Sequence, residues 1–96
     1  MAARDVKLNS RQVALISKAL ADPKRFEMLE KIGESGQAPT CSCVREWLRL
    51  APATVSHHLK ELETAGLVHV VRDGKFARLT LRRDVLKAYL HRLSTL

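Results

Sequence analysis

Residues 52–82 read PATVSHHLKELETAGLVHVVRDGKFARLTLR, and a change of period inside this stretch decides the fold. From Pro52 to Ala65 the apolar residues recur at helical spacing. Val55, Leu59 and Leu62 share one face at about 100° per residue. Pro52 suits a first helical turn, because its missing N–H has no partner there. Gly66 is a natural left-handed residue just past the helix end. Beyond it the period falls to two. Leu67-Val68-His69-Val70-Val71-Arg72 is β-branched and strand-like, and Asp73-Gly74 is a strong signal for a two-residue hairpin turn. Lys75 to Leu81 then alternates, with Phe76, Arg78 and Thr80 on one side and Ala77, Leu79 and Leu81 on the other.

The elements outside this stretch follow from start and stop signals. A short helix fits Cys41 to Leu48, and Leu50-Ala51-Pro52 breaks it, so residues 41–65 form helix, tight turn, helix. Asp22-Pro23 opens an earlier helix, with Asp as the N-cap and Pro in the first turn. That helix carries Phe26, Met28, Leu29 and Ile32 and ends between Gly33 and Gly36, ahead of a loop over 36–39. Asn9 or Ser10 caps a first helix running to about Leu20. Its stripes, Val13/Ile16/Leu20 and Leu15/Ala19, lie on two sides, which calls for two packing partners. A last helix covers about Arg83 to Ser94, with Val85, Leu86, Tyr89, Leu90 and Leu93 as its apolar positions. The expected architecture is mainly α with a small β-hairpin, a winged helix-turn-helix in the order α-α-α-α-β-β-α. Residues 1–8 are expected to be a flexible N-terminus and residues 9–96 a single domain.

Composition narrows the function. The chain has 96 residues, 17 Lys plus Arg against 10 Asp plus Glu, and a formal net charge of +7. That length allows one domain and excludes the large barrels and dinucleotide-binding folds, which need roughly 200 residues or more. The positive excess favours an anionic partner, nucleic acid before membrane. Aromatic residues make up only 4%, a poor supply for stacking single-stranded bases, so double-stranded DNA is the expected partner. No apolar run approaches the roughly 18 residues of a spanning helix. Met1 to Lys7 has no secretory pattern. Two cysteines one residue apart make no disulfide framework. The expected setting is a bacterial-type cytoplasm, at the nucleoid, with no membrane contact.

The 52–65 helix carries the candidate chemistry. Opposite its apolar face fall Ala53, His57 and Lys60, flanked by Thr54 and Ser56. Small residues for close approach, hydroxyls, an imidazole and a cation suit base edges and phosphates. His58 falls beside the apolar face and is expected to be a packed, hydrogen-bonded structural histidine. Residues 67–83 hold Arg72, Lys75, Arg78, Arg82 and Arg83 against Asp73 alone, so +4 of the chain's +7 lies there. Arg72, Lys75 and Arg78 are the candidate phosphate contacts of the hairpin. A merely solvated hairpin with charged edges is the plainer alternative. Ser56, His57 and Asp73 are the residue types of a hydrolase triad. Adjacent helical residues diverge, however, and no nucleophile elbow is visible, so no enzyme is expected.

Three segments together resemble the ArsR/SmtB family of winged-helix repressors. They are Ala21-Asp22-Pro23-Lys24-Arg25-Phe26, Ala53-Thr54-Val55-Ser56-His57-His58-Leu59-Lys60-Glu61-Leu62 and Ala65-Gly66-Leu67-Val68. In the family these read D-P-x-R, T-V-S-H-H-L-K-x-L and A-G-L-V, and the match spans about residues 12–93. The resemblance implies a homodimer through the first and last helices. It also implies binding to an imperfectly palindromic operator and release when an inducer binds. Ala53, Thr54, Ser56 and His57 match the family's DNA-facing positions, and Arg72, Lys75 and Arg78 match its wing. At position 51 the usual capping Ser is Ala, a loss of about 1 kcal/mol that Pro52 partly offsets.

Many family members bind thiophilic metals or metalloids through a Cys-x-Cys motif at the start of the third helix. Cys41-Ser42-Cys43 is similar but shifted by one residue, so Thr40 and Ser42 stand at the two ligand positions and Arg45 at the third. Three readings of the pair stay open: inert thiols at a helix start, a redox or electrophile sensor, or ligands for a thiophilic metal or metalloid. The last helix offers only Asp84 and His91 where some members bind zinc, and these read as surface residues. A constitutive DNA-binding regulator without an inducer, and a protein-binding winged helix, are the alternatives to an inducible repressor.

Overall fold

The computed structural model describes residues 6–96. The elements are α1 (Ser10–Leu20), α2 (Pro23–Glu34), α3 (Cys41–Leu48), α4 (Pro52–Thr64), β1 (Val68–Asp73), β2 (Phe76–Leu81) and α5 (Arg83–Ser94). This is the α-α-α-α-β-β-α order of a winged helix-turn-helix. Ile16, Met28, Val44, Val55, Leu62, Leu67 and Leu79 are the largest fully buried side chains. Every element but α5 contributes one of them or lends a strand neighbour, so one core serves the whole domain.

Side-chain caps fix where α1, α2 and α3 start. The Asn9 carboxamide accepts from the Gln12 backbone N–H at 2.8 Å while the Gln12 side chain accepts from the Asn9 N–H at 2.9 Å, a reciprocal capping box. The Asp22 carboxylate accepts from the backbone N–H groups of Lys24 and Arg25, at 2.9 and 3.0 Å. Arg25 is buried although charged. Its Nε donates to the Ala19 carbonyl at 2.7 Å and its Nη2 to the Lys18 carbonyl at 3.2 Å. The guanidinium therefore satisfies the orphan carbonyls at the end of α1, where a cation also meets the negative end of the helix dipole. One short motif thus caps α2 with its Asp and α1 with its Arg.

Of the segment expected to be flexible, residues 6–8 are among the described residues. Residues 1–5 lie outside the described residues. Leu8 is buried in the core, and its carbonyl accepts from Arg92 Nη1 at 2.6 Å. Burial of that side chain outweighs the freedom a terminal segment would otherwise keep. Ser17 and Tyr89 hydroxyls meet at 2.7 Å and tie α1 to α5.

The hairpin register also differs from the sequence expectation. Asp73 pairs with Phe76, so the two loop residues are Gly74 and Lys75 rather than Asp73 and Gly74. Gly74 takes φ 61°. Positive φ at the first loop position alone is the II′ pattern, which wants Gly there. Asp73 is thereby free to end the strand.

Candidate nucleic-acid interface

The helix-turn-helix is held by two unusual backbone positions. Arg49 ends α3 at φ 54°, a left-handed conformation that costs an L-residue roughly 1–2 kcal/mol, and it turns the chain at once into Leu50-Ala51-Pro52. At the other end of α4, Gly66 takes φ 80°. The Leu67 N–H bonds the Leu62 carbonyl at 3.0 Å and the Gly66 N–H bonds that of Glu63 at 2.9 Å. This is the paired Schellman closure. Leu62 and Leu67, its two apolar flanks, are both fully buried. The geometry of α4 relative to the hairpin is thus fixed at a single residue.

On α4, Val55, His58, Leu59 and Leu62 are buried, while Ala53, Thr54, Ser56, His57 and Lys60 are all exposed on the opposite side. Ala51 gives no side-chain cap, as the sequence implied. His57 and His58 have ring centroids 5.9 Å apart with a 52° tilt, one ring in solvent and one in the core. The expectation that His58 packs is met, but the expected hydrogen bond is missing at Nδ1, which is buried without a partner among the described residues.

The three wing cations do not form one set. Arg72 pairs with Ala77 and Val71 with Arg78, so Arg72 and Arg78 leave opposite faces of the hairpin. Lys75 sits in the turn between them. Arg72 and Lys75 are exposed. Arg78 is half-buried and engaged within the chain. Its Nη1 donates to the Ala38 carbonyl at 3.2 Å, and its Nε lies 3.5 Å from the Asp73 carboxylate. Arg78 also bridges Thr40 across the outer edge of β2, where the Leu79 N–H bonds the Pro39 carbonyl at 2.8 Å. The 38–40 loop therefore acts as a short third strand that covers the wing edge, and Arg78 is its anchor. In the sequence 36–39 reads only as a loop and Arg25 only as part of the D-P-x-R segment, with no sign of the contacts either makes. A Thr directly before a helix start was the one available signal for the loop.

Cys41 and Cys43 are free and half-buried at the start of α3. Thr40 caps this helix, accepting from the Cys43 N–H at 3.3 Å and donating its hydroxyl to Cys43 Sγ at 3.3 Å. That hydroxyl, a backbone hydrogen bond at Thr40 and the nearby Arg78 cation hold the Cys43 thiol below its ordinary pKa, against burial and Glu46. Among the described residues no group of three His, Cys, Asp or Glu side chains is placed to hold a metal. A thiophilic ion wants three or four ligands, so one protomer's residues do not fit it. Asp84 forms a two-bond pair with Arg82, at 3.1 and 2.9 Å.

A second feature lies away from α4. Leu20, Phe26, Leu29, Leu86, Leu90 and Leu93 line an open groove of about 730 Å³ between α2 and α5. Leu90 is 54% exposed and Leu93 45% exposed, far more than apolar residues on a closed domain need be. No described helix is long and apolar enough to cross a membrane.

A family model described as a helix-turn-helix domain matches residues 20–71. The uncharacterized HTH-type transcriptional regulator YceK of Bacillus subtilis (strain 168) is 34% identical over 77 residues, covering 80% of this chain and 77% of the relative. Among solved structures, an ArsR-like transcriptional regulator from Rhodococcus sp. RHA1 superposes with a TM-score of 0.81 at 25% identity, over 88% of this chain and 78% of that one. The homodimeric winged helix-turn-helix DNA-binding domain Mb0332 of Mycobacterium bovis superposes with a TM-score of 0.73 at 22% identity, over 94% of this chain and 88% of that one.

Proposed function

The chain belongs to the ArsR/SmtB family of winged helix-turn-helix transcriptional regulators, and from that premise we propose that it is a homodimeric repressor of a two-fold operator. The observation that carries this reading is the division of α4. One side is locked into the core, and the other offers Ala53, Thr54, Ser56, His57 and Lys60 to solvent beside a cationic hairpin. An α-helix fits the major groove. His57, Ser56 and Thr54 read base edges there, and Lys60, Arg72 and Lys75 neutralise phosphates. Arg78 contributes to the same field while it holds the wing to the 38–40 loop.

The groove between α2 and α5 supports the dimer. An exposed apolar arc on a domain this small is best buried by a second copy, and in this reading α1 and α5 lie at the two-fold axis. Two α4 helices then reach major grooves about one helical turn apart. Repression follows from blocking polymerase at a promoter in the cytoplasm. An inducer acts by favouring a dimer geometry that no longer spans both half-sites, through a coupling of roughly 1–3 kcal/mol. Cys41 and Cys43 are the candidate thiol-sensing pair, and the Cys43 thiol is held below its ordinary pKa by the Thr40 hydroxyl.

The test is a gel shift on the region upstream of the protein's own gene, with and without arsenite, antimonite, zinc, cadmium, oxidant and reductant. A retarded band is expected. His57→Ala is expected to lose more affinity for the operator than for random DNA, and equal losses would remove His57 from sequence reading. If none of the additions changes binding and Cys41→Ser/Cys43→Ser still represses, the thiols sense nothing.

A further inference from the structure

We propose that Phe76 at the wing tip is an apolar minor-groove contact that reads the sequence flanking each half-site. This rests on the DNA-binding reading above and adds a specificity element to it.

Phe76 is 50% exposed and Val71 is 43% exposed. The strand register puts Val71 beside Arg78 and Phe76 beside Asp73, so all four side chains share one face of the hairpin. Nothing in the described chain covers the Phe76 ring fully, yet the ring is held in place. Lys75 Nζ and Arg78 Cζ both lie 5.9 Å from its centroid. Arg78 is itself fixed by the Ala38 carbonyl and the Asp73 carboxylate. A ring that contacts two cations, one of them itself anchored, loses less freedom on binding than a free side chain would.

Two arguments select the occupant. A stable contact between two protein copies needs roughly 800 Å² from each partner, and one ring with one valine falls far short. The two cations near the ring call for an anionic partner. The minor groove is about 6 Å wide, with phosphates along both walls. It accepts the edge of one ring, while Lys75 meets a wall. Apolar side chains that enter this groove press against sugars and base steps, and they favour A·T steps where no guanine amino group protrudes.

The test uses the full chain and a footprinted duplex from the region upstream of its own gene, by fluorescence anisotropy across a salt series. Phe76→Ala is expected to weaken binding about tenfold with an unchanged salt slope, since no phosphate contact is lost. Phe76→Leu is expected to keep most of the affinity. Replacing flanking A·T pairs by G·C should weaken the wild type several-fold, inosine·C should restore it, and Phe76→Ala should be indifferent to all three. Equal affinity for wild type and Phe76→Ala, or a wild type blind to the flank, would overturn the proposal while leaving the DNA-binding reading intact. A loss of self-association in Phe76→Ala by gel filtration would overturn it in favour of a protein contact. A wild type that binds no duplex at all would overturn both.

Discussion

Gly66 joins the candidate recognition helix to the hairpin, and replacing it with alanine isolates one physical term. Its φ is 80°, and a Cβ built there meets nothing closer than Val85 Cγ1 at 3.9 Å, an ordinary van der Waals distance. Gly66→Ala therefore creates no overlap, and its cost is conformational. An L-residue in the left-handed region costs roughly 1–2 kcal/mol. The less flexible unfolded chain returns about 0.4–1 kcal/mol of this. The expected net loss is about 1 kcal/mol, which for a domain of this size lowers Tm by roughly 4–8 °C. Gly36→Ala is the control, since a Cβ there has open space and no positive φ. It is expected to be neutral or slightly stabilising. Gly66→Asn should fall between the two, because Asn tolerates the left-handed region better. Thermal unfolding followed by circular dichroism at one fixed protein concentration measures all three, the concentration being held because self-association shifts Tm. If Gly66→Ala proves as stable as Gly36→Ala, the helix does not end on a left-handed residue and the Schellman assignment is wrong.

Arg25→Met keeps the apolar stem of the side chain but strips the Lys18 and Ala19 carbonyls of their donor. It should cost about 2–3 kcal/mol in urea unfolding, and a loss below 0.5 kcal/mol, roughly the effect of an ordinary surface change, would show that water replaces the guanidinium. The Asp22 carboxyl is held below its ordinary pKa, first by the Arg25 backbone N–H and then by the His58 and Arg25 charges and the Lys24 N–H. A depressed acid stabilises the fold above its unfolded pKa of about 4 and loses that contribution as pH falls through the folded value. The stability gap between wild type and Asp22→Asn, which still caps, should therefore close on acidification, and a gap independent of pH would remove the charge from the account. Lys75→Ala should reduce the salt slope of DNA binding by about 1. Arg78→Ala should instead lower thermal stability, because it frees the 38–40 loop from the wing; an unchanged Tm would return Arg78 to the phosphate contacts.

Local signals carried most of the fold. Four of the five helix starts have a residue that accepts orphan N–H groups or lacks one itself, and Asn9, Asp22, Thr40 and Pro52 do so where the chain turns helical; α5 starts after Arg82 without a side-chain cap. The switch of apolar period at Gly66 separated helix from hairpin. The polar face of α4 was legible for the same reason: a helix wheel is set by backbone geometry alone, and Val55, Leu59 and Leu62 left only one side for solvent. The hairpin turn slipped by one residue because Asp-Gly and Gly-Lys both supply a glycine for positive φ. Only cross-strand pairing over the core-facing Leu79 chose between them.

The order of elements, the sides of α4 and the basic hairpin follow from the chain alone, since these depend on neighbours within one or two turns. How charged side chains are used is settled only when distant segments meet. Arg25 and Arg78 look like any other cations in the sequence. One closes the end of α1 from a position six residues away, and the other anchors a loop forty residues back along the chain. The exposure of Phe76 and the missing partner at His58 Nδ1 were likewise fixed by what folds against them, or fails to. Burial and pairing depend on contacts between distant segments, and the spacing of residues along the chain does not record them.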